Sequence, residues 1–268
     1  MSNKGALPDD PFIGLVGLVD LGRRYSNAPI IEATVDLRVS LPDSVGLDDL
    51  SGLYPDLDAS YPFYEFVPRV EDNRIIAAND QQGYRYLQKQ FAITAGLDRF
   101  VYSQLSKYRD WDYFVGNVEP RWQRYKEATL PSRITNVGVR YVNRIVIQNP
   151  RVEINDYLRT TVDISPYLPQ SIERYFAQIS FPIAAFGVQA TVTTALDDPR
   201  VPQATALILD IDVSHKVDLD PTSDSFDNDL TAEFSTLRAA KNYVFEACIT
   251  DATRGVIDRG DNPAESPA

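Results

Sequence analysis

The sequence predicts an α+β fold, with antiparallel sheet strands packed against long amphipathic helices. Three observations predict it. Apolar and polar residues alternate in several segments of strand length. Two other segments, 110–128 and 227–250, repeat apolar residues close to every 3.6 positions. Short turns such as Ala95-Gly96-Leu97-Asp98 separate neighbouring strand segments, which is the spacing of hairpins.

The first strand is PIIEATVDLRVS, residues 29–40. Ile31, Ala33, Val35, Leu37 and Val39 alternate with Glu32, Thr34, Asp36 and Arg38, so one set faces a core and the other a polar surface. Residues 41–82 are rich in Pro, Asp and Tyr and read as loop, with one short strand at 63–70. GYRYLQKQFAIT (83–94) and RFVYSQL (99–105) read as two aromatic-rich strands of a hairpin. Trp111, Phe114, Val115, Val118, Trp122 and Tyr125 then recur at helical spacing behind Asp110, a residue suited to cap a helix. That helix stops near Leu130-Pro131-Ser132, and 133–148 is a long strand. Val137, Val139, Tyr141, Ile145 and Ile147 point one way along it, Arg140 and Arg144 the other.

A connector with three prolines, 149–172, precedes a second series. YFAQISFPI (175–183) and VQATVTTAL (188–196) read as a strand pair, ATALILDIDVS (204–214) as a third strand. The closing helix at 227–250 carries Leu230, Phe234, Leu237, Val244, Phe245 and Cys248 on its apolar stripe. Both series run antiparallel strands and then a helix, the first adding a strand. The expected organisation is therefore two pseudo-repeated α+β halves, 11–148 and 173–257, with flexible ends at 1–10 and 258–268.

Composition narrows the function. The formal charge of −12 repels polyphosphate, so non-specific nucleic-acid binding over a broad surface is disfavoured. No apolar run approaches the ~18 residues of a membrane helix, and MSNKGALPDD does not read as a signal peptide. A cytoplasmic protein without membrane attachment is expected. The lone cysteine and the lone histidine, Cys248 and His215, exclude a zinc site built on several thiols or imidazoles. No phosphate loop, dinucleotide-binding glycine motif, nucleophile elbow or His-Glu-x-x-His appears.

The segment LRAAKNYVFEACIT, 237–250, sets Cys248 beside a Lys-Asn pair. Cys248 falls on the buried stripe, where a thiol serves as a small apolar group. Lys241 and Asn242 interrupt that stripe at its border; they cap, pair with an aspartate of the sheet, or reach a ligand.

Four segments carry a family resemblance: YSNAPIIEATVDLRV, VGVRYVNRI, LILDIDV and LRAAKNYVFEACITDATR. Through them the chain resembles an uncharacterised, sporadically distributed bacterial and archaeal protein family. Its marks are Asn-Ala-Pro-Ile-x-Glu near the start and Leu-Arg-x-x-Lys-Asn-x-x-Phe near the end. The resemblance implies no catalytic residues; the patchy distribution implies a role in mobile or defence-type systems.

The remaining candidate site is a polar sheet face made of Glu32, Asp36, Arg38, Arg140, Arg144, Asp210 and Asp212, with Lys241 and Asn242 from the last helix. Its plainer reading is a solvated face of cross-strand ion pairs. Its chemical reading is a metal-phosphate site, with Asp36, Asp210 and Asp212 on Mg or Mn and the arginines on phosphate. RWQRYKE (121–127) interleaves bases and aromatics as single-strand binders do, but Trp122 and Tyr125 already belong to the helix's apolar stripe. The expected function is a non-catalytic interaction or sensor protein with protein partners, no cofactor, and room for a homo-oligomer. The alternatives are a metal-dependent phosphoryl- or nucleotide-handling enzyme and a nucleic-acid-associated subunit of a larger complex.

Overall fold

The structure, a computed structural model, describes residues 23–57, 59–71, 74–198, 200 and 202–259. Of the loose ends expected at 1–10 and 258–268, residues 1–10 and 260–268 lie outside the described residues, whereas Asp258 and Arg259 are helical. In chain order the elements are β1 (Ile30–Ser40), α1 (Leu47–Leu50), β2 (Ala59–Glu71), β3 (Arg74–Leu87), β4 (Phe91–Gly96) and β5 (Arg99–Gln104). There follow α2 (Trp111–Thr129), β6 (Arg133–Ile147), α3 (Ile154–Tyr157), β7 (Phe176–Ile183), β8 (Val188–Asp197) and β9 (Thr205–Leu219). The chain then forms α4 (Phe226–Cys248) and α5 (Asp251–Arg259). The strands hydrogen-bond in the order β2-β3-β4-β5-β1-β6-β9-β8-β7, and the fold class is α+β with an antiparallel sheet. No helix among the described residues is long and apolar enough to cross a membrane.

Contacts divide the chain into two compact units drawn from interleaved stretches. The first takes 31–140 and 216–233; the second takes the described residues of 1–30, 141–215 and 234–266. Strands β6 and β9 and helix α4 each contribute to both.

In the first unit, β1 and β5 run antiparallel with Val35 opposite Tyr102 and Leu37 opposite Phe100. These four side chains are buried on one face, and α2 covers it. Phe100 lies 5.6 Å from both Trp122 and Tyr125, and Tyr102 lies 5.9 Å from Phe114, centroid to centroid. Edge-to-face and tilted ring pairs of this kind hold a core beyond their area alone. The Asp110 carboxylate accepts the Tyr113 N–H at 2.7 Å, as expected of the cap. At the other end Leu130 turns left-handed (φ 45°) before Pro131, and its N–H bonds to the Lys126 carbonyl.

Two readings of this unit needed correction. Strands β2 and β3 pair as a long antiparallel hairpin, where the stretch to residue 82 was expected as loop with one short strand at 63–70. Pro62 and Pro68 argue against an interior strand, but β2 is the last strand on its side of the sheet, where a missing N–H can cost no ladder bond. The segment 83–94 is two strands, reversed at Leu87-Gln88-Lys89-Gln90-Phe91 with the Gln88 N–H on the Phe91 carbonyl at 2.8 Å. That turn holds neither Gly nor Pro, so nothing in the sequence marks it. Gly83 is required for strand approach: a Cβ there would lie 2.1 Å from the Ala95 carbonyl oxygen.

In the second unit β7, β8 and β9 form an antiparallel meander. Leu209, Ile211 and Val213 of β9, with Val192 and Ala190 of β8 opposite the latter two, make its apolar face. Leu237, Ala240, Val244 and Cys248 of α4 are buried in the same unit. The helix expected over 227–250 stops at Cys248. Ile249 forms a β-bridge with Leu158, and α5 follows, burying Val256 and Ile257.

Candidate functional site

The polar row of β1 is half-buried, and its groups largely satisfy one another. Thr34, opposite Ser103, shares a 2.7 Å hydroxyl contact with it and reaches Glu32 at 3.1 Å. Arg38 pairs closely with Asp98, which also accepts from Arg99 Nε at 3.0 Å. Burial works to raise the Asp98 pKa, but hydrogen bonds and charge from Arg99 and Arg38 hold it below the usual carboxylate range. Arg38 is thus committed to a carboxylate. Asp36 differs: its Oδ1 is buried and accepts no hydrogen bond, with Arg38 Nε at 3.9 Å. Burial pushes this carboxyl up, against the pull of Arg38 and Arg99. Arg140, in the same unit, is exposed on β6.

In the second unit, Arg144 is only 4% exposed and forks onto Asp197 Oδ2 at 2.6 Å and the Asp198 carbonyl at 3.0 Å. It clamps β6 to the end of β8. Asp210 stands opposite Thr193 and Asp212 opposite Thr191. Thr193 in turn accepts from Gln178, and Thr191 bonds Ser180 at 2.8 Å, both on β7. Two polar rows therefore cross β9 and β8 to the strand at the sheet edge. Among the described residues, no group of three or more His, Cys, Asp or Glu side chains is placed to hold a metal ion.

Lys241 bends over the Tyr141 ring, with Nζ 4.1 Å from its centroid. Among the described residues no carboxylate pairs with it. Burial, reinforced by the charge of Arg238, lowers its pKa to about 7. Asn242 is half-buried beside it. Cys248 is buried, with Sγ 3.3 Å from Thr160 Oγ1, and burial raises its thiol pKa. His215 lies inside β9, where a strand end was expected.

Sequence reasoning missed two features. One is a buried cluster at the end of α4. Glu246 accepts from Tyr25 Oη at 2.7 Å and from Arg254 Nε at 3.0 Å, and Arg254 also reaches Asp251. Burial and then the Glu246 contact push the Tyr25 phenol far above its usual range. This cluster fastens the segment before β1, α4 and α5 to one another.

The other is an apolar surface on the connector. Val162, Ile164, Tyr167, Leu168 and Ile172 are all exposed, Tyr167 to 96%. They are not on a shapeless segment. The Leu168 N–H bonds to the Ser165 carbonyl at 3.0 Å, the Tyr167 N–H reaches Ser165 Oγ, and Gln170 Nε2 closes on the Ser165 and Leu168 carbonyls. Ser165-Pro166-Tyr167-Leu168 is a hydrogen-bonded turn that holds two large apolar side chains in water. The sequence signal was present, as Ser-Pro followed by Tyr-Leu amid few charges, but a proline-rich connector gives no cue to which side chains stay uncovered. The aromatics of RWQRYKE fare oppositely: Trp122 and Tyr125 are buried, and the Arg121 guanidinium lies 4.6 Å from the Phe91 ring centroid. Neither ring offers a face for a base. Compared with protein-family models and with curated proteins, the chain matches none.

Proposed function

We propose that this chain is a non-catalytic interaction protein that engages a protein partner through the Ser165–Gln170 turn. The observation that carries the reading is the Tyr167-Leu168 pair, held out by hydrogen bonds within a run of five exposed large apolar residues. Exposed apolar patches of this kind mark contact surfaces. A tyrosine anchor loses little entropy on docking, and a preformed turn lowers that cost further. Two of the three arginines expected to meet phosphate support the same reading, because Arg38 and Arg144 are spent on Asp98 and Asp197. An accessory role in a mobile or defence-type system is the setting that the family resemblance implies for such a protein.

The test is affinity capture from the native host with the wild-type chain and with Tyr167→Asp/Leu168→Asp. The double variant should keep the wild-type melting temperature, since both side chains are already exposed, and should lose the captured partner. Capture that is indifferent to the double variant would remove the turn from the interface.

A further inference from the structure

The two ends of the sheet are guarded unequally. β2, at one edge, carries Pro62, Glu65, Pro68, Arg69 and Glu71 in its sequence, the residues with which proteins blunt an open edge. β7, at the other edge, is Phe-Ala-Gln-Ile-Ser-Phe-Pro-Ile, without one charged residue in a chain of net charge −12. Phe176 is 71% exposed on it and Ile179 47%.

The direction in which its backbone hydrogen-bonding groups point follows from pairing. The Leu196 N–H bonds to the Tyr175 carbonyl at 3.1 Å, and Phe176 stands opposite Ala195. Antiparallel bonds alternate by residue, so Ala177, Ile179, Phe181 and Ile183 turn their backbone groups inward to β8. Phe176, Gln178, Ser180 and Pro182 turn theirs outward. Pro182 fits this assignment, because its missing N–H falls on the open side. Phe176 to Ser180 is thus a short, uncharged template that ends in a proline stop.

We infer that β7 pairs antiparallel with β7 of a second copy of this chain, about a two-fold axis through Gln178. In that register Gln178 faces its own copy, Phe176 faces Ser180 and Ala177 faces Ile179. The three outward residues of each strand satisfy one another. The uncharged edge adds no like-charge repulsion where two chains of net charge −12 meet backbone to backbone, whereas like charges directly opposite would oppose the pairing. An isologous contact of this kind closes at two copies. It uses a strand distinct from the Tyr167 turn and does not rest on it.

The test combines solution mass with a cross-link. Light scattering on the wild-type chain should give the mass of two copies, and Gln178→Glu, which places two like charges face to face, should give one. Gln178→Cys should join into a dimer under diamide, which takes up the two thiol hydrogens, because opposed residues sit about 5.5 Å apart, inside the disulfide range. Ser180→Cys should not, since its copies are offset by about 13 Å along the strands. Tyr167→Asp should leave the dimer intact, so loss of partner capture and loss of dimer are separate results. A monomeric wild type, a dimer unmoved by Gln178→Glu, or equal cross-linking at 178 and 180 would overturn the inference. If Gln178→Glu unfolds, the paired cysteine variants still decide it.

Discussion

Lys241 holds its ammonium 4.1 Å from the centre of the Tyr141 ring, and among the described residues no carboxylate neutralises it. A cation–π contact offsets part of the cost of burying a charge, and Arg238 adds repulsion. The folded-state pKa of about 7 lies below the unfolded value near 10.5. Between those two pH values the unfolded chain binds more protons, so this group makes stability rise with pH. The contribution is whole above the unfolded pKa and lost as pH falls toward 7. The penalty at neutral pH is at most about 5 kcal/mol by the size of the shift, and partial exposure of the side chain reduces it. Lys241→Met should therefore raise the melting temperature at pH 7 and flatten the rise toward pH 10. Equal melting curves for the two proteins at both pH values would show that the ammonium is solvated.

Phe234 and Phe245 share the α4 stripe in the sequence but differ in the fold. Phe234 is 7% exposed, whereas Phe245 is half-buried and meets Tyr25 edge to face at 5.8 Å. Phe234→Ala should cost about 3–5 kcal/mol in denaturant unfolding, as for a core aromatic. Phe245→Ala should cost less, about 1–2 kcal/mol, from partial burial and one ring pair. Equal losses would mean that the Tyr25 side packs as tightly as the interior.

Cys248 lies against Thr160 with a thiol pKa raised by burial. Reaction requires the thiolate and access to it, and both are suppressed here. A water-soluble thiol reagent should label the native protein slowly and the unfolded protein at the rate of a free cysteine. Fast native labelling would place Cys248 at an opening in the fold.

These predictions follow the line between what the sequence disclosed and what it did not. Helix α2, its Asp110 cap and strands β6, β8 and β9 were legible, because a periodic apolar pattern over ten or more residues has one good burial solution. The β2–β3 hairpin was hidden by its own prolines, which a sheet edge tolerates and an interior strand does not. The polar row of β1 was legible as a row. What it binds was not, because Asp98, which occupies Arg38, comes from a turn sixty residues away. Arg144 was misleading for the same reason: strand alternation says which way it points, and only the fold brings Asp197 to meet it. The exposure of Tyr167 is a property of what fails to cover it, and no local pattern records that.

Asp36 gives the test that separates a solvated face from a chemical site. Its Oδ1 is buried without a donor, and burial raises its pKa above the ordinary carboxylate value. A carboxyl with a raised folded-state pKa contributes stability that is whole below its unfolded pKa and lost as pH rises through the folded one. At neutral pH the ionised group is therefore a burden, and Asp36→Asn should stabilise the protein, by about 1 kcal/mol, with the gain vanishing below pH 4. Magnesium or manganese should leave the melting temperature of the wild type unchanged, because Arg38 stands beside Asp36 and the neighbouring Asp98 carboxylate is already taken up by Arg38 and Arg99, a poor donor set for a hard cation. A bound ion would stabilise the folded state by mass action. A rise of several degrees with either metal, abolished in Asp36→Asn, would make this face a metal site and restore the phosphoryl-handling enzyme over the interaction protein.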